Sequence, residues 1–158
     1  MAVTQYFGKY RAKVVDVKDP EKRGRIRVMC PKVLGDYKSS WCEPCIPFAY
    51  ENGGDFHIPK LNDFVWVEFE EGDHNRPIWV GSLWTVNNTS LNTDYTVNTR
   101  VIEFDGGRVE MTRGNILITI GGSQINLTSG GTIDVKGKAI TLNGSSSVSL
   151  QGGSVNLN

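Results

Sequence analysis

The amino-acid sequence predicts an all-β protein with two parts, a small antiparallel barrel and a C-terminal needle of short repeated strands. Apolar and polar residues alternate with a period of two from Tyr10 to about Trp84, which is typical of half-buried strands. After Arg100 a different pattern, a short apolar-x-apolar unit separated by glycine, repeats to the end of the sequence. The composition changes with the pattern, because no tryptophan follows Trp84.

Four or five strands are expected over residues 1–84. In the clearest run Val65, Val67 and Phe69 alternate with residues of the opposite face. Turn signals separate the runs at Asp19-Pro20 with Gly24, at Gly53-Gly54 and at Gly72-Asp73. Short strands of this kind suit an OB-fold barrel. Residues 85–100 are polar and lack glycine and proline, so we expect a linker there, followed by the needle at residues 101–158.

The needle is predicted from eight apolar-x-apolar pairs whose starts are seven to nine residues apart. The pairs are Ile102/Phe104, Val109/Met111, Ile118/Ile120, Ile125/Leu127, Ile133/Val135, Ile140/Leu142, Val148/Leu150 and Val155/Leu157. One copy wound alone would leave open edges and a marginal core. The repeat therefore predicts an intertwined triple-stranded β-helix in a homotrimer, with each chain moving to the next face after every strand.

Charge and hydropathy exclude several classes of protein. Lysine plus arginine and aspartate plus glutamate both number 17, so the net charge is zero and nucleic acid is not expected as a partner. No apolar run approaches a membrane span, and the N-terminus lacks the layout of a signal peptide. We expect a protein that is made soluble and unprocessed.

Three cysteines form the strongest candidate for a metal site. Cys42 and Cys45 have the spacing of a zinc knuckle, and Cys30 with His57 could complete the set. The alternative is that reduced cysteines pack in the core as small apolar residues. We favour core cysteines and predict no metal and no cofactor, while the metal-binding alternative remains open.

A group of carboxylates is the candidate for catalysis. Glu68, Glu70 and Glu71 lie beside Asp73 and could form a two-carboxylate glycosidase. Glu68 and Glu70 alternate with apolar residues, however, which places them on the outer face of a strand. No large pocket-forming segment accompanies them, so we predict a protein that is not an enzyme and has no catalytic residues.

The single basic cluster consists of Lys22, Arg23, Arg25 and Arg27. On an OB-fold such a cluster could bind single-stranded nucleic acid, but the zero net charge favours a solvated face or a docking surface.

The aromatic residues of the barrel could likewise form a stacking platform for bases or sugars. We expect most of them in the core and in trimer contacts, with Trp41 and Trp84 facing another subunit. The residues concerned are Trp41, Trp66, Trp79, Trp84, Phe56, Phe64 and Phe69.

Several segments resemble the central spike family of contractile tails, which includes phage baseplate assembly proteins of the V type and the valine-glycine repeat spikes of type VI secretion. The segments are 23–28, 39–48, 58–70 and 76–81 for the OB-fold, and the repeat from Ile102 onward for the β-helix. The resemblance implies a homotrimer in a virion tail baseplate or equivalent injection particle, assembled in the bacterial cytoplasm. It also implies docking on a tail hub protein through the OB-fold and a needle directed at the target cell envelope. The alternative is an OB-fold module that binds carbohydrate or nucleic acid and is carried on a trimerising stalk.

The sequence departs from this family at three places. Asn62 stands where the family more often has glycine, which we expect to affect only a turn. No lysozyme-like insertion separates Trp84 from Arg100, so the peptidoglycan-cutting activity of some relatives is not carried over. The sequence reaches Asn158 without the His-x-His motif that some relatives use to hold iron, and a separate tip protein is expected there. The kind of particle and the target envelope remain open.

Overall fold

The computed structural model describes residues 4–51, 53–55, 57–86 and 97–156. The chain divides into two compact units, residues 1–90 and 91–158. Strands account for nearly all of the regular structure, so the predicted all-β class is confirmed. The predicted linker falls largely on residues 87–96, which lie outside the described residues. No helix of the described residues is long and apolar enough to cross a membrane.

The described part of the N-terminal unit contains seven strands and two short helical turns. The strands are β1 (Tyr10–Asp16), β2 (Arg27–Met29), β3 (Glu43–Pro44), β4 (Ala49–Tyr50), β5 (Gly53–Gly54), β6 (Phe64–Phe69) and β7 (Pro77–Ser82). The helical turns are α1 (Pro31–Leu34) and a 3-10 turn (Glu70–Gly72). Gly53 and Gly54, predicted as a turn, instead form the second strand of a short hairpin with β4, because the chain reverses just before them.

Five of these strands form one curled sheet in the order β2-β1-β6-β7-β3. Neighbouring strands are antiparallel except β3 and β7, which run parallel. The two ends of the sheet meet beside β2 and β3, where Ile26 and Cys42 exchange backbone hydrogen bonds of 3.3 and 2.8 Å. The sheet therefore closes on itself in the manner of a small OB-like barrel.

The core of the N-terminal unit comes from the inward positions of the alternating strands. Buried side chains there include Ala12, Val14, Ile26, Val28, Val65, Val67 and Phe69. Each of the larger side chains contributes roughly 1.5–3 kcal/mol when fully buried. Trp79 completes the core, and its indole Nε1 donates a hydrogen bond of 3.1 Å to the Gly24 carbonyl. The period-two prediction for this unit is thus confirmed at the residues on which it rested.

The C-terminal unit is a five-stranded antiparallel meander, in which each strand pairs with the next one along the chain. Its strands are β8 (Arg100–Phe104), β9 (Gly107–Met111), β10 (Asn115–Ile120), β11 (Ser123–Thr128) and β12 (Ile133–Lys136). Gly106 and Gly121 occupy tight turns with φ of 83° and 54°, a conformation that favours glycine. Between residues 137 and 156 the structure contains no strand.

This pairing corrects one part of the sequence prediction. The repeat predicted that successive strands pair with other chains, whereas β9, β10 and β11 have both edges paired within their own chain. The strands are also up to six residues long rather than three. The physical reason is that short glycine turns bring adjacent strands together at little cost in loop entropy.

Candidate functional site

One face of the β8–β12 sheet is apolar across all five strands. The cross-strand register aligns Ile102, Val109, Ile118, Ile125 and Val135 in one row, and residues directly opposite each other share a face. The residues two positions away on each strand lie on the same side. We call this surface the apolar face; it comprises Ile102, Phe104, Val109, Met111, Ile116, Ile118, Ile120, Ile125, Leu127, Ile133 and Val135.

The apolar face is exposed, although its residues are of the kind that fill cores. Nine of its side chains are between 38% and 68% exposed. On β10 and β11 the side chains of the apolar face are exposed, while the alternate positions, which are polar except for Leu117, are half-buried. Contiguous exposed apolar surfaces of this size are typical of sites at which proteins associate.

The opposite face of the same sheet carries a cluster of three charged side chains that pair with one another. The Arg108 guanidinium lies 2.6 Å from Glu103 Oε2 and 2.6 Å from Glu110 Oε2. The hydrogen bond to Glu110, with that to Glu103, raises the pKa of Arg108 above its ordinary value. Nearby, Asn115 donates a 3.2 Å hydrogen bond to Asn126. On this polar face Arg108, Glu103 and Glu110 therefore have charged partners within the sheet, whereas the side chains of the apolar face remain exposed.

The segment after Lys136 continues the apolar repeat without forming strands in the single chain. Its apolar side chains are between 53% and 66% exposed; they are Ile140, Leu142, Val148, Leu150 and Val155. The last residue of the final predicted pair, Leu157, lies outside the described residues. These side chains extend the exposed apolar character of the C-terminal unit beyond its sheet.

In the N-terminal unit, Asp19 organises the loop that leads into β2. Its Oδ1 accepts hydrogen bonds of 3.1 and 2.7 Å from Nε and Nη2 of Arg25, and the backbone N–H groups of Glu21 and Arg23 also donate to its carboxylate. The bond from Arg25 is the main reason that the pKa of Asp19 lies well below its usual range. The sequence predicted Asp19 only as a turn residue. The alternation of apolar and polar residues does not reveal an ion pair between residues that are six positions apart, so the pair with Arg25 was not predicted.

The basic cluster was predicted to be a solvated face or a docking surface, and this ion pair shows that Arg25 is not part of a solvated face. Arg25 is 8% exposed and is neutralised by Asp19. Arg23 pairs with Glu21 and Glu43, each at 3.1 Å. Only Lys22 and Arg27 of the predicted cluster lack a carboxylate partner among the described residues.

The aromatic residues divide between the core and the surface. Trp79 and Phe69 are core residues, as predicted, whereas Trp66 and Phe64 are half-buried on the outer side of β6. Trp41 lies under the guanidinium of Arg27 at 4.8 Å from its ring centre and under that of Arg25 at 5.7 Å. Trp84 is 63% exposed, and Phe56 lies outside the described residues. That Trp41 and Trp84 face another subunit stays a prediction.

The structure separates the four residues of the possible zinc site. Cys30 and Cys42 are fully buried, and burial raises the pKa of the Cys42 thiol to about 11. Cys45 is exposed, so the prediction of a core residue is wrong for this cysteine, which follows the last paired residue of β3. His57 binds Asp55 at 2.8 Å and lines a cavity of about 510 Å³ together with Cys45. Across the described ranges, no three His, Cys, Asp or Glu residues are grouped to hold a metal.

The candidate catalytic carboxylates are engaged in surface ion pairs. Glu68 pairs with Lys9, and Arg76 lies 2.6 Å from Glu70 and 3.4 Å from Glu71. The ion pairs account for these three glutamates as surface residues that bind neighbouring cations of the same unit. Asp73 accepts a 2.9 Å hydrogen bond from the Asn75 backbone N–H, and this bond is the main cause of its lowered pKa.

The fold and these surfaces define an all-β protein with an OB-like barrel and a sheet with an exposed apolar face. Residues 10–84, slightly less than half of the chain, match the family model of the type VI secretion system/phage-baseplate injector OB domain. The match confirms the resemblance to baseplate spike proteins that the sequence predicted. It supports a structural role in a phage baseplate or a related injection system, in assembly with other tail proteins. No curated protein matched the chain.

Proposed function

We propose that this chain is the central spike of a contractile injection system, a homotrimer without enzymatic activity. The N-terminal unit docks on the tail hub, and the C-terminal unit pierces the envelope of the target cell. The similarity of residues 10–84 to an injector OB domain supports the place of the chain in a baseplate. The observation that carries the proposal further is the exposed apolar face of the C-terminal sheet.

Burial of this face is the reason for self-association. A sheet with one apolar face is stable when another layer covers that face. Nine half-exposed side chains give roughly 1 kcal/mol each when covered, or on the order of 9 kcal/mol per chain. This gain is comparable with the cost of association, on the order of 4–15 kcal/mol. The apolar residues after Lys136 must therefore contribute as well.

The segment after Lys136 favours three chains over two. It supplies one apolar pair every seven or eight residues, enough for a single short strand in each layer. A closed core around an axis then needs one strand from each of three chains. We propose that three sheets pack their apolar faces together along β8–β12, and that residues 137–158 intertwine as a triple-stranded β-helix.

The mechanism that follows is mechanical. Backbone ladders that join three chains distribute an axial load over many hydrogen bonds. The thrust of the contracting tail is thereby delivered to a small area of the envelope by a stiff body.

The mass of the purified chain in solution tests the proposal. Sedimentation equilibrium is expected to give three times the chain mass of 17.5 kDa. Imaging of whole particles is expected to place the protein on the tail axis at the baseplate. A well-folded monomer, or a protein located elsewhere in the particle, would contradict the proposal.

A further inference from the structure

We propose that the outer face of β1, β2 and β6 binds an acidic segment of the tail hub protein. This inference rests on the proposed function and names the surface and the chemistry of docking. We call the surface the cationic face; it comprises Arg11, Lys13, Arg27, Met29, Phe64 and Trp66.

The sheet register brings these residues together on one side. Arg11 lies opposite Trp66, and Lys13 lies opposite both Phe64 and Met29. Arg27 precedes Met29 by two residues and therefore shares its face. The intervening residues of β1 and β2 point into the core, so the cationic face points outward.

The cations of this face have no carboxylate partner among the described residues, unlike the other arginines of the unit. Arg11 lies over the Trp66 ring at 5.4 Å, and Arg27 lies over Trp41 at 4.8 Å. Stacking of this kind fixes the plane of a guanidinium and leaves its edge for a carboxylate. Asp16 is opposite Arg27 in the ladder; its Oδ1 accepts the Lys18 backbone N–H at 3.0 Å, and among the described residues it forms no ion pair with Arg27.

The Arg27 side chain carries a further sign of an incomplete site. Its Nε is buried and has no hydrogen-bond partner within the described part of the chain. A buried donor without an acceptor costs free energy. A bound carboxylate that draws the guanidinium outward would supply an acceptor for this group.

A second copy of the chain is a poor source of that carboxylate. Six carboxylates of the N-terminal unit already pair with cations of the same unit: Asp19, Glu21, Glu43, Glu68, Glu70 and Glu71. This favours a different protein chain as the source of the complementary charge.

A protein segment also fits the face better than nucleic acid. Three cations on a chain of zero net charge cannot follow a long phosphate backbone. At one end of β1 and β6 the next cation, Lys9, is already paired with Glu68 and does not extend the cationic face. Arginine and tryptophan are, in contrast, the residues on which protein interfaces depend most.

The test compares two doubly substituted full-length chains with the wild type. The Arg11→Glu/Arg27→Glu variant reverses the cationic face. The Lys22→Glu/Lys32→Glu variant makes the same change of charge at exposed residues outside β1, β2 and β6. Affinity is measured for the purified hub protein of the same particle and for a single-stranded oligothymidylate, and sedimentation gives the mass of each variant.

We expect the Arg11→Glu/Arg27→Glu variant to bind the hub at least about ten-fold more weakly, and the control to bind within about two-fold of wild type. Both variants should keep the mass of the wild type. Arg27→Lys, which retains charge but not the planar fork, should give an intermediate loss.

Three results would overturn the inference. Equal hub affinity of the two variants would show that the face does not dock. Tighter binding of the oligothymidylate than of the hub would assign the face to nucleic acid. Loss of the trimer in the Arg11→Glu/Arg27→Glu variant alone would assign it to a second copy. A wild-type chain that is itself monomeric would refute the proposed function instead.

Discussion

Asp19 is the residue on which the loop before β2 depends. Its carboxylate accepts hydrogen bonds from the Arg25 side chain and from the backbone of Glu21 and Arg23. These bonds favour the charged form, so the folded chain binds a proton at Asp19 less readily than the unfolded chain does.

We therefore expect the Asp19→Asn substitution to lower stability in a pH-dependent way. A carboxylate with a lowered folded pKa adds stability above its unfolded pKa of about 4 and loses it as the pH falls further. The urea midpoint of Asp19→Asn should fall clearly below wild type at pH 7, and the deficit should be smaller at pH 3, where the unfolded chain already binds a proton at Asp19. Asp36→Asn, at an exposed position, is the matched control. A deficit of equal size at both pH values would contradict the prediction.

The pattern of single residues was predictable where local rules apply. Asn62 was expected in a turn and has φ of 73°, a conformation that asparagine adopts more readily than most residues. Arg25 was not predictable, because alternation with Ile26 places it outside the core. Its burial depends on Asp19 and Trp41, which the fold brings to it from other parts of the chain.

At the scale of elements, the apolar-x-apolar pairs predicted the positions of β8 to β12 but not their pairing. Offsets of seven to nine residues fit both a hairpin and a step to a neighbouring chain. Gly106 and Gly121 have positive φ angles that are typical of tight turns. These turns join adjacent strands of the same chain into hairpins. The predicted pair Ile118/Ile120 did not include Ile116, which lies on the same face. The alternation of apolar residues already begins at Ile116, two residues before the pair, and could have identified it.

The centre of the apolar face gives an element-scale prediction. Ile118 lies between Val109 and Ile125, whereas its neighbour Thr119 lies on the polar face between Arg108 and Gln124. Ile118→Asp would bury a charge in the trimer interface at a cost of several kcal/mol, so we expect it to reduce the trimer strongly. Thr119→Asp is the control and should leave the trimer intact.

Sedimentation velocity at one chain concentration distinguishes the two variants. If both sediment as the wild type does, the apolar face is not an interface.

At the scale of the whole molecule, the order of barrel, polar segment and glycine-punctuated repeat predicted the class of protein. The match of residues 10–84 agrees with that interpretation. The number of chains stays a prediction, because nothing within the described part of the chain covers the apolar face.

Association between identical chains predicts an unfolding midpoint that depends on concentration. Mass action stabilises an assembly as the chain concentration rises. Thermal unfolding followed by far-ultraviolet circular dichroism should shift upward over about a hundredfold range of concentration. Ile118→Asp should abolish the shift, and a wild-type midpoint independent of concentration would argue against a trimer.

The placement of the tryptophans has a spectroscopic consequence. The last of the four is Trp84, and Trp79 is anchored in the core by its bond to Gly24. Indole emission therefore reports on the barrel alone, and the repeat region is silent at those wavelengths. Tryptophan emission therefore follows the melting of the barrel in the intact chain, and comparison with far-ultraviolet circular dichroism, to which the strands of both units contribute, distinguishes the melting of the repeat region.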